Sequence, residues 1–171
     1  FWSFLFAVRW FDHARSRRRP ALDCSGSRAR LIGEHFNSEL ITQDHILFNN
    51  SAVAAQIPNA HINQPIASAT LSTAQSNGWI WDIALPTRRG TGYVYSSKYQ
   101  SDESATNTLK SYIAKSTSEQ QAEQLNYRVL KFSPGYRQKF WIKNCVAVGM
   151  SAGFLEPLEA SALAMVELSI S

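Results

Sequence analysis

Two carboxylates flank a proline near the end of the chain, in Glu156-Pro157-Leu158-Glu159, where an apolar run gives way to a helical pattern. A carboxylate so placed can steady a cation or take a proton from a reacting ring, and partial burial tunes its pKa to that task. Ahead of the pair, Cys145 to Val148 reads as a buried strand, and Gly149, Ser151, Ala152 and Gly153 as a small-residue turn. Beyond it, Leu158, Ala162, Met165 and Val166 recur at helical spacing. Pro157 suits the first turn of that helix, whose leading amides have no partner within the helix and whose dipole favours an anion. Strand, glycine turn and helix start together make a seat for an anion or an electron-rich ring. Either glutamate also has a plainer explanation, as a first-turn acid facing the dipole. Trp79 and Trp81 form a second notable pair, two residues apart on one face of an alternating strand, where two indoles can equally well fill a sheet core.

The run Gly149 to Ser161 resembles the flavin-facing loop of the flavin-dependent halogenases, the tryptophan halogenase group, whose usual form is G-x-A-A-G-F-x-E-P-L-E-S-T. Gly78-Trp79-Ile80-Trp81-Asp82-Ile83 resembles the W-x-W-x-I-P signature of the same family, with the proline displaced to Pro86. Ala21 to Arg28, reading ALDCSGSR, is similar to the D-x-S/T-G-x-R turn that closes the dinucleotide-binding portion in the wider flavoprotein monooxygenase superfamily. Taken alone, that last stretch is equally an Asx-type turn ending a strand. The resemblance runs from about Ala21 to the end of the chain.

It implies an α/β fold of α+β character, part of an FAD-dependent monooxygenase-like fold with an antiparallel substrate-side sheet and flanking helices. The implied activity is halogenation of tryptophan, indole or a similar electron-rich aromatic, with oxygen and halide as co-substrates and FAD reduced by a separate, transiently bound flavin reductase. In that scheme hypohalous acid travels through a tunnel to a lysine beside the substrate, and Glu159 matches the acid that accompanies the lysine. Trp79 and Trp81 match the pair standing between flavin and substrate pocket. Met150 and Leu163 match apolar positions against the flavin ring, and Asp23 and Gly26 are expected near the FAD. Ser161 and Ala162 match residues whose amides meet cofactor and halide. The family's E-S-T-G is here Glu159-Ala160-Ser161-Ala162, so a hydroxyl beside the acid is gone while the backbone donors stay.

Neither the family's lysine nor a dinucleotide glycine fingerprint has a match. Gly90-Thr91-Gly92 lacks a third glycine and joins strands rather than a strand and a helix. Both features are expected ahead of Phe1. The first residue is not Met, and the last helix is still in apolar register at Ile170. The expectation is therefore a partial halogenase domain over residues 21–171, incomplete at both ends and inactive alone, with residues 1–20 unassigned. An aromatic hydroxylase of the same superfamily and a non-catalytic remnant are the alternatives.

Composition agrees with a globular chain: 171 residues, 44% hydrophobic and 12% aromatic. The net charge of +4 owes much to Arg15, Arg17, Arg18, Arg19, Arg28 and Arg30, yet no nucleic-acid motif accompanies the cluster. The apolar stretch Phe1 to Phe11 is too short for a membrane span, and its positive charges follow it rather than precede it as in a signal peptide. No nucleic-acid or membrane partner is expected, and the expected compartment is the cytoplasm. Cys24 and Cys145 read as free buried thiols, and the four histidines show no metal-ligand spacing.

In chain order the pattern predicts a helix over Leu31 to Leu40 and a short strand at Ile46 to Phe48. Ala52 to Ile57 alternates weakly, and a clear strand pattern begins at Ile66. The Trp79 to Leu85 strand then turns at Thr87 to Gly90 and returns as Tyr93 to Tyr95. Ser101 to Lys115 is a capped helix, Ser116 to Gln124 a loop or its extension, and strands at Tyr127 to Phe132 and Phe140 to Ile142 flank a turn at Ser133 to Tyr136.

Overall fold

The computed structural model describes residues 20–61, 63–155, 158 and 161–170. In chain order the strands are β1 (Ala21–Asp23), β2 (Leu40–Thr42), β3 (Ser51–Pro58), β4 (Leu71–Gln75), β5 (Gly78–Ala84) and β6 (Arg88–Tyr95). They continue as β7 (Arg128–Lys131), β8 (Gly135–Arg137), β9 (Trp141–Ile142), β10 (Cys145–Ala147) and β11 (Gly153–Phe154). The helices are α1 (Asp102–Ala114), α2 (Glu119–Gln124) and α3 (Ser161–Ile170). Two 3-10 turns, Gly26–Arg28 and Gly149–Ser151, and a wide π-type helix at Arg30–His35 complete the set. These elements divide into two compact units, Phe48–Phe132 and the segments before and after it. The mixed α/β class is the expected one.

Phe48–Phe132 is built on a five-stranded antiparallel sheet in the order β4-β5-β6-β3-β7. Side chains alternate across the pleat, so Ile80, Tyr93, Tyr95, Val53 and Ile57 share one face. There α1 packs on them through Ala105, Leu109 and Ile113. The helix opens as expected, with the Ser101 hydroxyl accepting from the Ser104 amide at 3.2 Å and Asp102 and Glu103 in the first turn. The polar stretch after it is a separate short helix, α2, capped by Ser118, which accepts from the Gln121 amide at 3.1 Å. The β5–β6 hairpin is present, but it turns at Leu85 to Thr87, with the Leu85 amide donating to the Arg88 carbonyl at 2.9 Å. Pro86 supplies the turn, and Arg88 and Arg89 lie inside β6. β4 begins at Leu71, later than the alternation from Ile66 suggests.

The other unit carries two three-stranded sheets, β1-β10-β9 and β11-β8-β2. β1 runs parallel to β10, from Ala21 beside Cys145 to Asp23 beside Ala147. Its apolar core is small: Ala29, Ile32, Ala147 and Ala152, with Phe140 and Ile142 against them. Several expectations fail here. Ile46 to Phe48 is no strand, because the amides of Ile46 and Leu47 both donate to the Gln43 carbonyl, at 3.0 and 2.7 Å, and close a turn. The expected helix over Leu31 to Leu40 is only the Arg30–His35 π-type turn, since Leu40 already belongs to β2. Gly135 to Arg137 is the central strand of a sheet rather than part of a turn, so β7 and β9 join different sheets. Cys145 is buried, but Cys24, just past the end of β1, is exposed. Among the described residues no helix is long and apolar enough to cross a membrane.

Candidate functional site

β1 ends on Asp23, a carboxylate only 1% exposed. Its Oδ1 accepts from the amide and hydroxyl of Ser25, and its Oδ2 from the amides of Leu31 at 2.9 Å and Ile32 at 2.8 Å. The last two are leading donors of the Arg30–His35 helix, so Asp23 caps it. Burial alone would raise the Asp23 pKa; the bonds from the Ser25 side chain and from the amides of Ile32, Ser25 and Leu31 outweigh it and hold the carboxyl below its ordinary value. The Asp23 carbonyl accepts from the Val148 amide at 3.1 Å and from the Ser151 hydroxyl. One residue thus ties together β1, the helix and the Gly149–Ser151 turn. Gly26, in the left-handed region at φ +71°, opens a second turn that packs beside the first. Asp23, Gly26 and Met150 therefore stand together. The Asp23 carboxylate is fully used by its own chain, so it shapes the turn rather than offering a free acceptor.

Gly149 has φ +67°, and Val166 of α3 lies against it, 3.2 Å from where a Cβ would stand. The guanidinium of Arg137 donates to the carbonyls of Ser151 at 3.3 Å and Ser38 at 2.9 Å, bracing the turn. Past the Gly153–Phe154 strand, which pairs with β8, the described part of the last helix, α3, runs from Ser161. Within α3 the amides of Ser161, Ala162 and Leu163 precede the first helical hydrogen bond, the first two being the residues expected to meet a halide. Met150, Leu158 and Leu163 are exposed apolar side chains, Leu163 at 72%. Glu156, Pro157, Glu159 and Ala160 lie outside the described residues.

In the Phe48–Phe132 unit, Trp79 and Trp81 are half-buried, with ring centroids 6.2 Å apart and planes at 60°. They face away from α1. The core of this unit is filled by the opposite face of β5, through Ile80, so the indoles are not its filling. Asp82, 6% exposed on the core face, holds that orientation. Its Oδ2 accepts from the Tyr112 hydroxyl at 3.1 Å, and its Oδ1 lies 3.2 Å from the Arg89 Nε as an ion pair. A slip of one residue would drive both indoles into the core and strip Asp82 of these partners. Opposite Trp81 stands Gly92, and opposite Trp79 stands Val94. Gly90-Thr91-Gly92 lies inside β6 between two antiparallel neighbours. Sequence reasoning missed Ser151, Arg137 and Gly92. Only Gly92 left a signal, a glycine inside a strand where something approaches closely.

Known proteins resemble this chain in fold and sequence. The crystal structure of a tryptophan halogenase from Shewanella frigidimarina NCIMB 400 aligns with a TM-score of 0.80 at 51% identity, covering 86% of this chain and 28% of that one. A flavin-dependent halogenase from Brevundimonas sp. BAL3 aligns with a TM-score of 0.73 at 35% identity, over 87% of this chain and 29% of that one. In sequence, a 7-chloro-L-tryptophan 6-halogenase of Kutzneria sp. (strain 744) is 36% identical over 167 residues, 94% of this chain and 31% of the relative. The fold is therefore that of the flavin-dependent halogenases over the stretch they share. Residues 8–171 match the tryptophan halogenase family, and the chain belongs to it. It spans about a third of the length of such relatives, 31% for the Kutzneria enzyme.

Proposed function

We propose that the complete protein is a flavin-dependent halogenase that uses reduced FAD, oxygen and a halide to halogenate tryptophan, indole or a similar electron-rich aromatic. The residues around the Gly149–Ser151 turn fit such a cofactor: exposed apolar side chains at Met150 and Leu163 suit a flat ring, and the first amides of α3 suit an anion. Once reduced by a separate flavin reductase, FAD supplies the oxidising chemistry that makes an electrophile of the halide.

The chain's own residues have separable tasks in this reading. Asp23 and Gly26 hold the turn, and the amides of Ser161 and Ala162 bind halide. Trp79 and Trp81 wall the organic substrate off from the flavin. Glu159 steadies the cation formed by attack on the ring and takes the ring proton. The observation that carries the reading is the indole pair standing on the face of β5 away from the cluster under α1, where a wall is possible.

The test supplies the complete protein with reduced FAD, oxygen, chloride or bromide and a panel of indoles and phenols. Product carrying halogen in place of ring hydrogen, formed only when halide is present, is the expected result. Hydroxylated product formed regardless of halide would replace this reading with that of an aromatic monooxygenase. Glu159→Gln is expected to abolish product while FAD binding persists.

A further inference from the structure

We infer that Gly92 is a positioning residue: its missing side chain is the space in which the indole of Trp81 rests, and so it sets the wall between cofactor and substrate. This rests on the halogenase reading above. Gly92 lies within β6, directly across from Trp81 on β5 and from Ala54 on β3. A Cβ at Gly92 would stand 2.1 Å from Cζ2 and 2.2 Å from Cη2 of Trp81. Carbon atoms in ordinary contact sit about 3.5–4.0 Å apart. The obstructed group is a rigid bicyclic ring rather than the end of a flexible side chain, so the whole indole would have to withdraw by more than about 1 Å.

The requirement is for room, not for an unusual backbone, since the positive φ glycines are Gly26 and Gly149 and do not include Gly92. Other glycines of this hairpin do different work. A Cβ at Gly78 would meet the Val94 carbonyl oxygen at 1.9 Å, a backbone clash that belongs to strand pairing. A Cβ at Gly90, two residues along β6 on the same face as Gly92, would meet nothing within 4 Å. Trp79 stands across from Val94, which is fully buried, so its ring lies over a filled position while that of Trp81 lies over an empty one. Because the two rings meet edge-on at 6.2 Å, displacing Trp81 changes the geometry of the pair.

That pair provides a readout independent of chemistry. Two indoles this close couple their transitions and give a paired band in circular dichroism whose sign and size follow their mutual angle. In the complete protein, Gly92→Ala should abolish or invert that band and lower halogenation turnover about a hundredfold, the scale of a displacement of about 1 Å in a positioned group, with FAD affinity unchanged. Gly90→Ala should leave band and turnover as in wild type. If Gly92→Ala keeps both, the proposal is overturned. Should Gly92→Ala fail to fold, Gly92→Ala/Trp81→Ala must fold again, because the obstructing ring has gone; a double variant that stays unfolded also overturns it. Loss of the band in Gly92→Ala beside a wild type that yields no halogenated product upholds the seating of Trp81 and overturns the halogenase reading instead.

Discussion

The two units hold their chemistry-bearing residues with apolar and polar contacts in different proportion. In Phe48–Phe132 an apolar cluster reaching from Val53 through Ile80 and Tyr93 to Leu109 and Ile113 fixes the sheet, and the indoles ride on its far face. In the other unit the apolar cluster among the described residues is small, Ala29, Ile32, Ala147 and Ala152 with Phe140 and Ile142 against them, and much of the organisation falls to Asp23 and the donors around it. Apolar packing is non-directional and indifferent to pH, whereas a buried carboxylate is directional and titrates. The Trp79–Trp81 pair should therefore tolerate conditions that loosen the turn beside the helix start.

The strongest break in that contrast is Asp23→Ala. It leaves the part-buried amide of Leu31 and the buried amide of Ile32 without acceptors, and a loss of about 2–4 kcal/mol is expected. Amide hydrogen exchange on the complete protein should show protection collapsing over Arg30–His35 and Cys145–Ala147 and persisting over β5 and β6. Equal loss in both places would mean that the units share one stability. Leu109→Ala is the mirror experiment. A leucine fully buried in the cluster costs about 3 kcal/mol when truncated, and here protection should fall over α1 and β6 while β1 and β10 keep theirs.

A third prediction sharpens the contrast by pH. The Asp23 carboxyl lies below its ordinary value in the fold, against about 3.9 in an unfolded chain. A depressed carboxylate pKa contributes stability that is present in full above the unfolded value and is lost as pH falls through the folded one. Below about pH 4 unfolding free energy should therefore decline with acidification around β1 and the Gly149–Ser151 turn first. The loss is smaller than for deletion, because a protonated carboxyl still accepts hydrogen bonds. Asp23→Asn should flatten this pH dependence; an unchanged profile would assign the acid sensitivity to another group.

The same contrast explains what could be read in the sequence. The sheet was legible because burial of one face imposes a period of two: Trp79 to Ile83 and Tyr93 to Tyr95 alternate as the pattern demands, and α1 announces itself through Ser101 and its apolar stripe. The other unit was legible only in part: strands at Cys145 to Ala147 and Trp141 to Ile142, and one ending at Asp23 before a glycine turn, lie where the pattern suggests, but they are two or three residues long and pair with partners distant in sequence, such as Ala21 beside Cys145 or Ile41 beside Tyr136. Such pairings leave no local period. The family motifs pointed to Asp23 and to Ser161 and Ala162, but not to what their surroundings do. That Asp23 spends its carboxylate on a helix start follows from tertiary contacts that residue types alone do not disclose.

The smallest expected effect tests how far polar detail at the start of α1 reaches into the sheet unit. Ser101→Ala removes the hydroxyl that accepts from the Ser104 amide at the start of α1. Losing such a cap costs about 1 kcal/mol. Asp102 and Glu103 remain in the first turn to complement the dipole, and Leu109 and Ile113 still anchor the helix to the sheet. The loss should be confined to fraying of the first turn, seen as faster exchange at Ser104 and Ala105, with the circular dichroism of the Trp79–Trp81 pair unchanged. A change in that signal would mean that the helix cap is felt through the sheet, and that apolar packing does not insulate the indole face from polar changes on the other side.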